Sequence, residues 1–131
     1  APQAMVNRVV VSVIGAGVAS INGIYKQISS DTIPKGFATV CLAQGWDVKT
    51  TWEELNGGRD WFDGPGGAYI YFNARDGRFW MDEPGGMGVY ITGETDVAQV
   101  TKAPRPPTTG WRPLRPDANP VPAVQLLNAN E

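Results

Sequence analysis

The chain has 131 residues, of which 42% are hydrophobic, and it carries a net charge of −2. This size and composition predict one globular domain with an ordinary hydrophobic core, and the small negative charge predicts no general attraction to nucleic acid or to an anionic membrane. The single cysteine, Cys41, and the absence of histidine exclude an internal disulfide, a Ser-His-Asp or Cys-His nucleophile and a histidine-containing zinc site in this sequence. We therefore expect a reducing compartment, the cytoplasm, and any catalysis would depend on carboxylates, lysine, tyrosine or a partner.

The first predicted element is the β-branched run Val9–Ile14, which leads into the Gly-rich segment 15–20. This segment is similar to a dinucleotide-binding fingerprint, but that motif requires a helix to begin at its glycines, whereas Asn22-Gly23 and a second strand follow at once. A basic residue, an apolar run and small residues also match a signal peptide, although the run is far shorter than a membrane span. We favour a buried strand that ends in a Gly-rich corner, and we expect no cofactor.

Residues 29–56 have the pattern of a helical insertion between strands, with two short helices near 34–55. Gly45 is expected to end the first helix, and Asp47 is expected to cap the second. Cys41 would lie on the apolar face of the first helix, which predicts a buried and inert thiol.

The stretch Trp61–Ile91 predicts an antiparallel meander. Its apolar runs Tyr69–Phe72, Phe79–Met81 and Val89–Ile91 are rich in aromatic and β-branched residues and are separated by Gly-rich turns. The loop Asn73–Gly77 places a glycine where a hairpin needs a positive φ. The predicted fold is therefore mainly β, or α+β at the margin: an antiparallel meander or small open barrel with a short helical insertion.

The segment 103–131 holds seven of the eleven prolines and predicts one of two arrangements. As a free tail, it would present polyproline II ligands for aromatic-lined grooves, beginning with Pro104, Arg105, Pro106 and Pro107. Alternatively, Trp111 and the apolar run 124–127 would anchor it to the sheet. A free tail has little use for Trp111, so we favour packing within a single domain of residues 1–131.

These elements together form a recognisable pattern. It consists of an apolar strand ending near GAG, then NGIY, NGG, the strand YIYF, RFWMD, a Gly-rich turn before VYI, and APRPPTTGW leading into PVPAVQL. The pattern resembles a small β domain without assigned activity that recurs, often in tandem, in proteins of unicellular eukaryotes. The resemblance covers residues 6–28 and 55–127, with 29–54 as an insertion. It implies the fold and makes Trp111 part of it, and it implies no catalytic residue.

Five carboxylates are expected in the turns of the meander. Loop carboxylates could bind a hard cation or act as an acid–base pair, but no EF-hand spacing is present. Because aspartate is common in turns on conformational grounds alone, we predict no metal site and no catalytic residue. The five are Asp60, Asp63, Asp76, Asp82 and Glu83.

The most specific binding-site prediction concerns the predicted strand at 69–72. Tyr69 and Tyr71 share one of its faces, while Ile70 and Phe72 share the other. If the second face is the core, the tyrosine pair forms a surface that faces a partner. The predicted binding surfaces comprise Tyr69, Tyr71, Arg78 and Trp80 on the sheet and Pro104, Arg105, Pro106, Pro107 and Trp111 in the Pro-rich segment.

The leading hypothesis for function is a non-catalytic interaction module that binds a protein or peptide partner. A carbohydrate-binding module is one alternative, which predicts at least two coplanar exposed rings beside Asp or Asn. An enzyme with a carboxylate-only site is the other, which predicts two carboxylates a few ångströms apart in a deep pocket, at least one with a raised pKa. The sequence leaves the oligomeric state open.

Overall fold

The computed structural model describes residues 8–128, and within them the chain forms one eight-stranded antiparallel sheet and two helices. The strands are β1 (Val9–Ile14), β2 (Gly23–Ile28), β3 (Trp61–Asp63), β4 (Tyr69–Asn73), β5 (Arg78–Asp82), β6 (Gly88–Ile91), β7 (Arg112–Pro113) and β8 (Ala123–Asn128). The helices α1 (Lys35–Gln44) and α2 (Val48–Asn56) lie between β2 and β3 in the sequence. The sheet curls into a half-barrel, which confirms the predicted mainly β fold with a helical insertion.

The sheet is a meander of seven strands, and the last strand, β8, is added at the edge formed by β1. Each strand from β1 to β6 pairs with the next along the chain, and β8 returns to pair with β1, so the spatial order is β7-β6-β5-β4-β3-β2-β1-β8. The β4–β5 hairpin turns at Gly77, whose φ of 72° is the left-handed conformation that glycine adopts without strain. Its backbone N–H donates to the Asn73 carbonyl at 2.8 Å.

One face of the sheet carries the larger hydrophobic core. Ile70 and Phe72 of β4 lie in this core with the valines of β1. Two tyrosines are also buried there, because each has a partner for its hydroxyl: Tyr25 donates to the Ile21 carbonyl at 2.5 Å, and Tyr90 donates to the Ala118 carbonyl at 2.6 Å.

The helical insertion covers the opposite face. Helix α1 ends at Gly45, which has a φ of 77°, and Asp47 caps α2 by accepting a hydrogen bond from the Thr50 backbone N–H at 2.9 Å. Both ends match the sequence-based expectation. The buried members of this second cluster are Phe37, Cys41, Trp52, Trp61, Tyr69 and Tyr71.

The Gly-rich segment after β1 forms a corner. A short 3-10 turn at Ala19–Ile21 follows it and leads directly into β2. Since no α-helix begins at these glycines, the segment has no helix N-terminus with which to hold a pyrophosphate. Between residues 8 and 128, no helix is long and apolar enough to cross a membrane.

The described part of the Pro-rich segment lies against the domain. Trp111 is 7% exposed, and its indole N–H donates to the Pro107 carbonyl at 2.7 Å. Pro104 and Pro106 are buried, whereas Arg105 is exposed. Because β7 pairs with β6 and β8 pairs with β1, this segment supplies both edge strands of the sheet. The predicted single domain of residues 1–131 also includes residues 1–7 and 129–131, which lie outside the described residues.

Candidate functional site

A cavity of about 170 Å³ lies between the helical insertion and the β4–β5 hairpin, and we refer to it as the aromatic pocket. Its walls include five aromatic side chains and one carboxylate: Phe37, Trp46, Tyr69, Tyr71, Trp80 and Asp82.

The hairpin register brings four of these side chains to one face of the sheet. Tyr71 pairs with Trp80, and Tyr69 pairs with Asp82. Side chains of directly opposed residues in an antiparallel pair point to the same face, so the alternation that turns Ile70 toward the larger core turns these four toward the insertion.

Helix α1 forms the opposite wall through a close backbone contact. A Cβ atom at Gly36 would lie 2.6 Å from the Pro84 carbonyl oxygen and 3.0 Å from Cε1 of Tyr69. The lack of a side chain at Gly36 therefore lets α1 rest directly on the tyrosine ring and on the turn after β5. This contact fixes the position of Phe37 and Cys41 over the sheet.

Asp82 is the most unusual group in the pocket. It is 4% exposed, and its Oδ1 atom has no hydrogen-bond partner among the described residues. Burial raises the pKa of its carboxyl to about 7; the nearby Tyr69 hydroxyl offsets part of this increase, and the negative charge of Glu83 adds to it. The Tyr69 hydroxyl itself is also without a partner, since it approaches Asp82 without reaching hydrogen-bond geometry.

The two tyrosines stay neutral. Burial raises the pKa of both Tyr69 and Tyr71, and the charge of Asp82 raises each further. The Tyr71 hydroxyl accepts a hydrogen bond from the Asn73 amide at 3.3 Å. Both hydroxyls are thus available as neutral hydrogen-bonding groups at the base of the pocket.

Cys41 lies in the wall as a protonated thiol. It is 1% exposed. Burial raises its pKa, a hydrogen bond with Thr51 opposes this, and the charge of Asp47 adds to it. A thiol with a raised pKa is a poor nucleophile, so Cys41 contributes packing rather than covalent chemistry.

Trp46 lines the pocket, Met87 lies in the chain between the lining residues Gly86 and Gly88, and Leu114 lies close to the Trp80 ring. Trp46 is 51% exposed, and Met87 and Leu114 are also exposed. A Cβ atom at Gly88 would contact both the Trp80 ring and Leu114, at 2.6 and 3.1 Å, so these two side chains are close neighbours. The rim therefore combines a half-exposed indole with exposed aliphatic groups.

The structure brings together only part of the predicted binding surface. Tyr69, Tyr71 and Trp80 share the pocket, but the tyrosines are 0% and 5% exposed rather than open to solvent, because the insertion covers them. Arg78 does not line it; its guanidinium donates to the Thr92 carbonyl at 2.8 Å and to Glu94 at 3.2 Å. Trp111 is buried in the other core.

The Pro-rich residues border a separate groove. Pro104, Arg105 and Pro107 line a shallow depression of about 430 Å³ together with Phe79, which belongs to the larger core. This groove is consequently on the opposite side of the sheet from the aromatic pocket. Pro106 is buried beside it.

The turn carboxylates have different environments. Asp60 accepts a hydrogen bond from the Gln27 amide at 2.8 Å, Asp76 accepts one from the Trp80 indole at 2.9 Å, and Glu83 pairs with Arg115 at 3.1 Å. Asp63 is exposed. In the part of the chain that the structure describes, no three acidic or thiol groups come together as a metal site.

Sequence reasoning missed Asp82 as a buried group, although a signal was present. With Gly77 as the turn residue, the hairpin register places position 82 opposite Tyr69, on the tyrosine face. Trp46 and Phe37 were missed as pocket residues because nothing local shows which sheet face a helix will cover.

Comparisons of the chain with protein-family models, with curated proteins and with solved structures found no match. The resemblance to a recurring β domain therefore stays a prediction, and the pocket is the feature from which a function can be inferred.

Proposed function

We propose that this protein is a non-catalytic interaction module that binds a protein or peptide partner by accepting one partner side chain in the aromatic pocket. The observation that carries the proposal is a narrow, aromatic-lined cavity that opens among exposed apolar side chains.

The size of the pocket favours a single side chain. Sites for drug-sized ligands are typically about 300–1,000 Å³, whereas the aromatic pocket is about 170 Å³. A cavity of this volume holds one side chain or a similarly small group. The affinity for a larger partner would then come from contacts outside the cavity.

The rim supplies such contacts. Trp46, Met87 and Leu114 expose apolar surface beside the opening. Aromatic side chains with a half-buried position are typical anchors of protein interfaces, because they bury large area at small entropic cost. A peptide whose side chain enters the pocket would cover this rim.

The two alternatives find less support in the geometry. Of the five tryptophans, all within residues 8–128, only Trp46 is exposed, whereas a sugar platform needs at least two exposed rings. Asp82 is the one carboxylate in the wall of the pocket, and the adjacent Glu83 is engaged by Arg115, so the pair expected of a carboxylate enzyme is not assembled there.

The setting of the module is also a proposal. A net charge of −2 does not favour nucleic acid as the partner. We propose a reducing compartment, the cytoplasm, as its place of action, in which the one thiol, Cys41, would stay reduced.

A peptide selection tests the function. A random-sequence peptide library displayed on phage is selected on the wild-type chain, and each enriched peptide is then synthesised and its Kd measured against variants. We expect Trp46→Ala to weaken binding by at least about thirtyfold, since truncation of an aromatic interface anchor at a hot spot costs about 2 kcal/mol or more.

Leu42→Ala is the matched control. Leu42 is an exposed apolar residue on the same helix as Phe37 and Cys41, but it does not line the pocket. Peptides that bind Trp46→Ala as tightly as wild type, or a selection that enriches no peptide, would contradict the proposal.

A further inference from the structure

We infer that the aromatic pocket takes an alkylammonium group that keeps at least one N–H, of the kind carried by a lysine or by a mono- or dimethylated lysine. This inference rests on the proposed function and names the side chain that the partner would insert.

The ring content of the pocket favours a cation. Tyr69 and Tyr71 lie with their ring centroids 5.9 Å apart and tilted by 35°, and Phe37 approaches Tyr71 edge-on at 5.9 Å. Trp46 and Trp80 complete the aromatic wall. The faces of aromatic rings attract ammonium groups, and cages of aromatic side chains are a means by which proteins recognise alkylated ammonium ions.

Two buried polar atoms without partners favour a ligand that donates a hydrogen bond. Asp82 Oδ1 and the Tyr69 hydroxyl are buried without partners in the described structure. A buried polar group without a partner is costly, so a ligand that donates a hydrogen bond to the carboxylate is favoured over an apolar one. A trimethylammonium group has no N–H to donate, and an anionic group would be repelled.

The charge around the pocket is uncompensated. The titratable groups that act on Asp82 are Tyr69 from β4 and the adjacent Glu83, and Tyr71 from β4 and Cys41 from α1 line the same pocket. The lining includes no lysine or arginine. Arg115, which reaches the neighbouring Glu83, pairs with that residue and with Asp117 at 3.1 and 3.0 Å. A bound ammonium would supply the missing positive charge.

Binding should release a proton near neutral pH. The Asp82 carboxyl, with a pKa of about 7, is largely protonated at pH 6 and largely ionised at pH 8. Because an ammonium binds the ionised form, affinity should rise by about tenfold across this range, as expected for one linked titration. A neutral ligand would show no such increase.

The first test uses small probes on the whole chain. Butylammonium chloride, which mimics the lysine side chain, is compared with 1-butanol and tetramethylammonium chloride by ¹H–¹⁵N NMR of the tryptophan indoles. We expect saturable shifts of Trp46 and Trp80 with butylammonium, at least tenfold weaker binding of the other two probes, and tighter binding at pH 8 than at pH 6. Equal binding of butylammonium and butanol would overturn the inference without requiring any variant.

A pair of variants locates the interaction. Asp82→Asn preserves shape and should weaken butylammonium binding by about ten- to a hundredfold, as for loss of a hydrogen bond to a charged group, and should abolish its pH dependence. Asp63→Asn removes an exposed carboxylate from the same sheet and should leave binding unchanged. Unaltered binding by a folded Asp82→Asn variant would overturn the inference.

The two proposals fail separately. Each selected peptide is made with lysine and with its neutral isostere norleucine at the anchor position. Trp46-dependent peptides that lack a basic residue, together with no butylammonium binding, would keep the interaction module and overturn the alkylammonium pocket. Asp82-dependent butylammonium binding without any binding peptide would keep the alkylammonium pocket, with a free amine as its ligand, and overturn the peptide module.

Discussion

Replacement of Asp82 by asparagine should make the protein more stable at alkaline pH and flatten its pH dependence. Asp82 is 4% exposed, and its carboxyl pKa rises from 3.8 to about 7 on folding. Between these values the native state holds a proton that the unfolded state has lost, so the stability contributed by this proton is complete below pH 4 and is lost as the pH rises through 7. The full change corresponds to about 4 kcal/mol, of which roughly 2.5 kcal/mol falls between pH 5 and pH 8.

The assay is urea unfolding followed by tryptophan fluorescence at pH 5, 6, 7 and 8. The free energy of unfolding of wild type, minus that of Asp82→Asn, should fall by roughly 2.5 kcal/mol between pH 5 and pH 8. Taking this difference removes the contribution of all other titrating groups, which the two proteins share. As a control, the plot of the free energy of unfolding against pH for Asp63→Asn, which changes an exposed carboxylate, should run parallel to that of wild type. Parallel curves for wild type and Asp82→Asn would refute the argument that burial of Asp82 dominates its titration.

Three further predictions test the packing around the pocket. Gly36→Ala should lower the free energy of unfolding by about 1–3 kcal/mol because its Cβ would lie 2.6 Å from a backbone carbonyl of the turn after β5, whereas Gly85→Ala, which meets no atom within 4 Å, should be near neutral in thermal melts. Trp111→Ala should lower the free energy of unfolding, measured in urea, by about 3–5 kcal/mol because Trp111 is buried. Arg112→Ala, which changes the exposed neighbouring residue, should alter it little. The thiol of Cys41 should react with an aromatic disulfide reagent at least about tenfold more slowly in the native chain than in urea, and equal rates would show that the pocket is open to the reagent.

Local sequence was sufficient to predict the helix ends and the hairpin turn that glycines define. Gly45 and Gly57 end the two helices in the left-handed conformation, and Gly77 closes the β4–β5 hairpin in the same way. At each of these positions the conformation depends on one residue and its immediate neighbours, so a pattern of apolar runs and glycines predicts it. The short strands β3 and β7 were not predicted, because three and two residues carry too little periodicity.

The direction in which each strand face points depends on more than hydrophobicity. In β2, Tyr25 is fully buried and Ile24 is 49% exposed, the reverse of what their side chains alone suggest. Tyr25 can be buried because its hydroxyl reaches the Ile21 carbonyl, and that carbonyl is supplied by the corner before β2. The choice of face therefore depends on a partner that the strand itself does not contain.

The pocket arises from the same kind of nonlocal effect. Tyr69 and Tyr71 are predicted to lie on one face of a strand, and residues 29–56 are predicted to form helices whose apolar stripe must be buried against another element. Each pattern leaves one apolar surface without a packing partner, and in the structure the helices pack against the tyrosine face of the strand. The buried environment of Asp82 follows only after they are joined, since an identical hairpin without the helices would expose it to water and leave its pKa near the ordinary value.

This origin also limits what the resemblance to a recurring β domain can imply. The predicted resemblance is to the strands and the Pro-rich segment, and it treats 29–54 as an insertion. Phe37, Cys41 and Trp46 all belong to that insertion, and they form the wall opposite Asp82. A domain with the same sheet and no insertion would lack the enclosed pocket, so the proposed recognition of an alkylammonium group is a property that this chain adds to the sheet rather than one that the sheet provides.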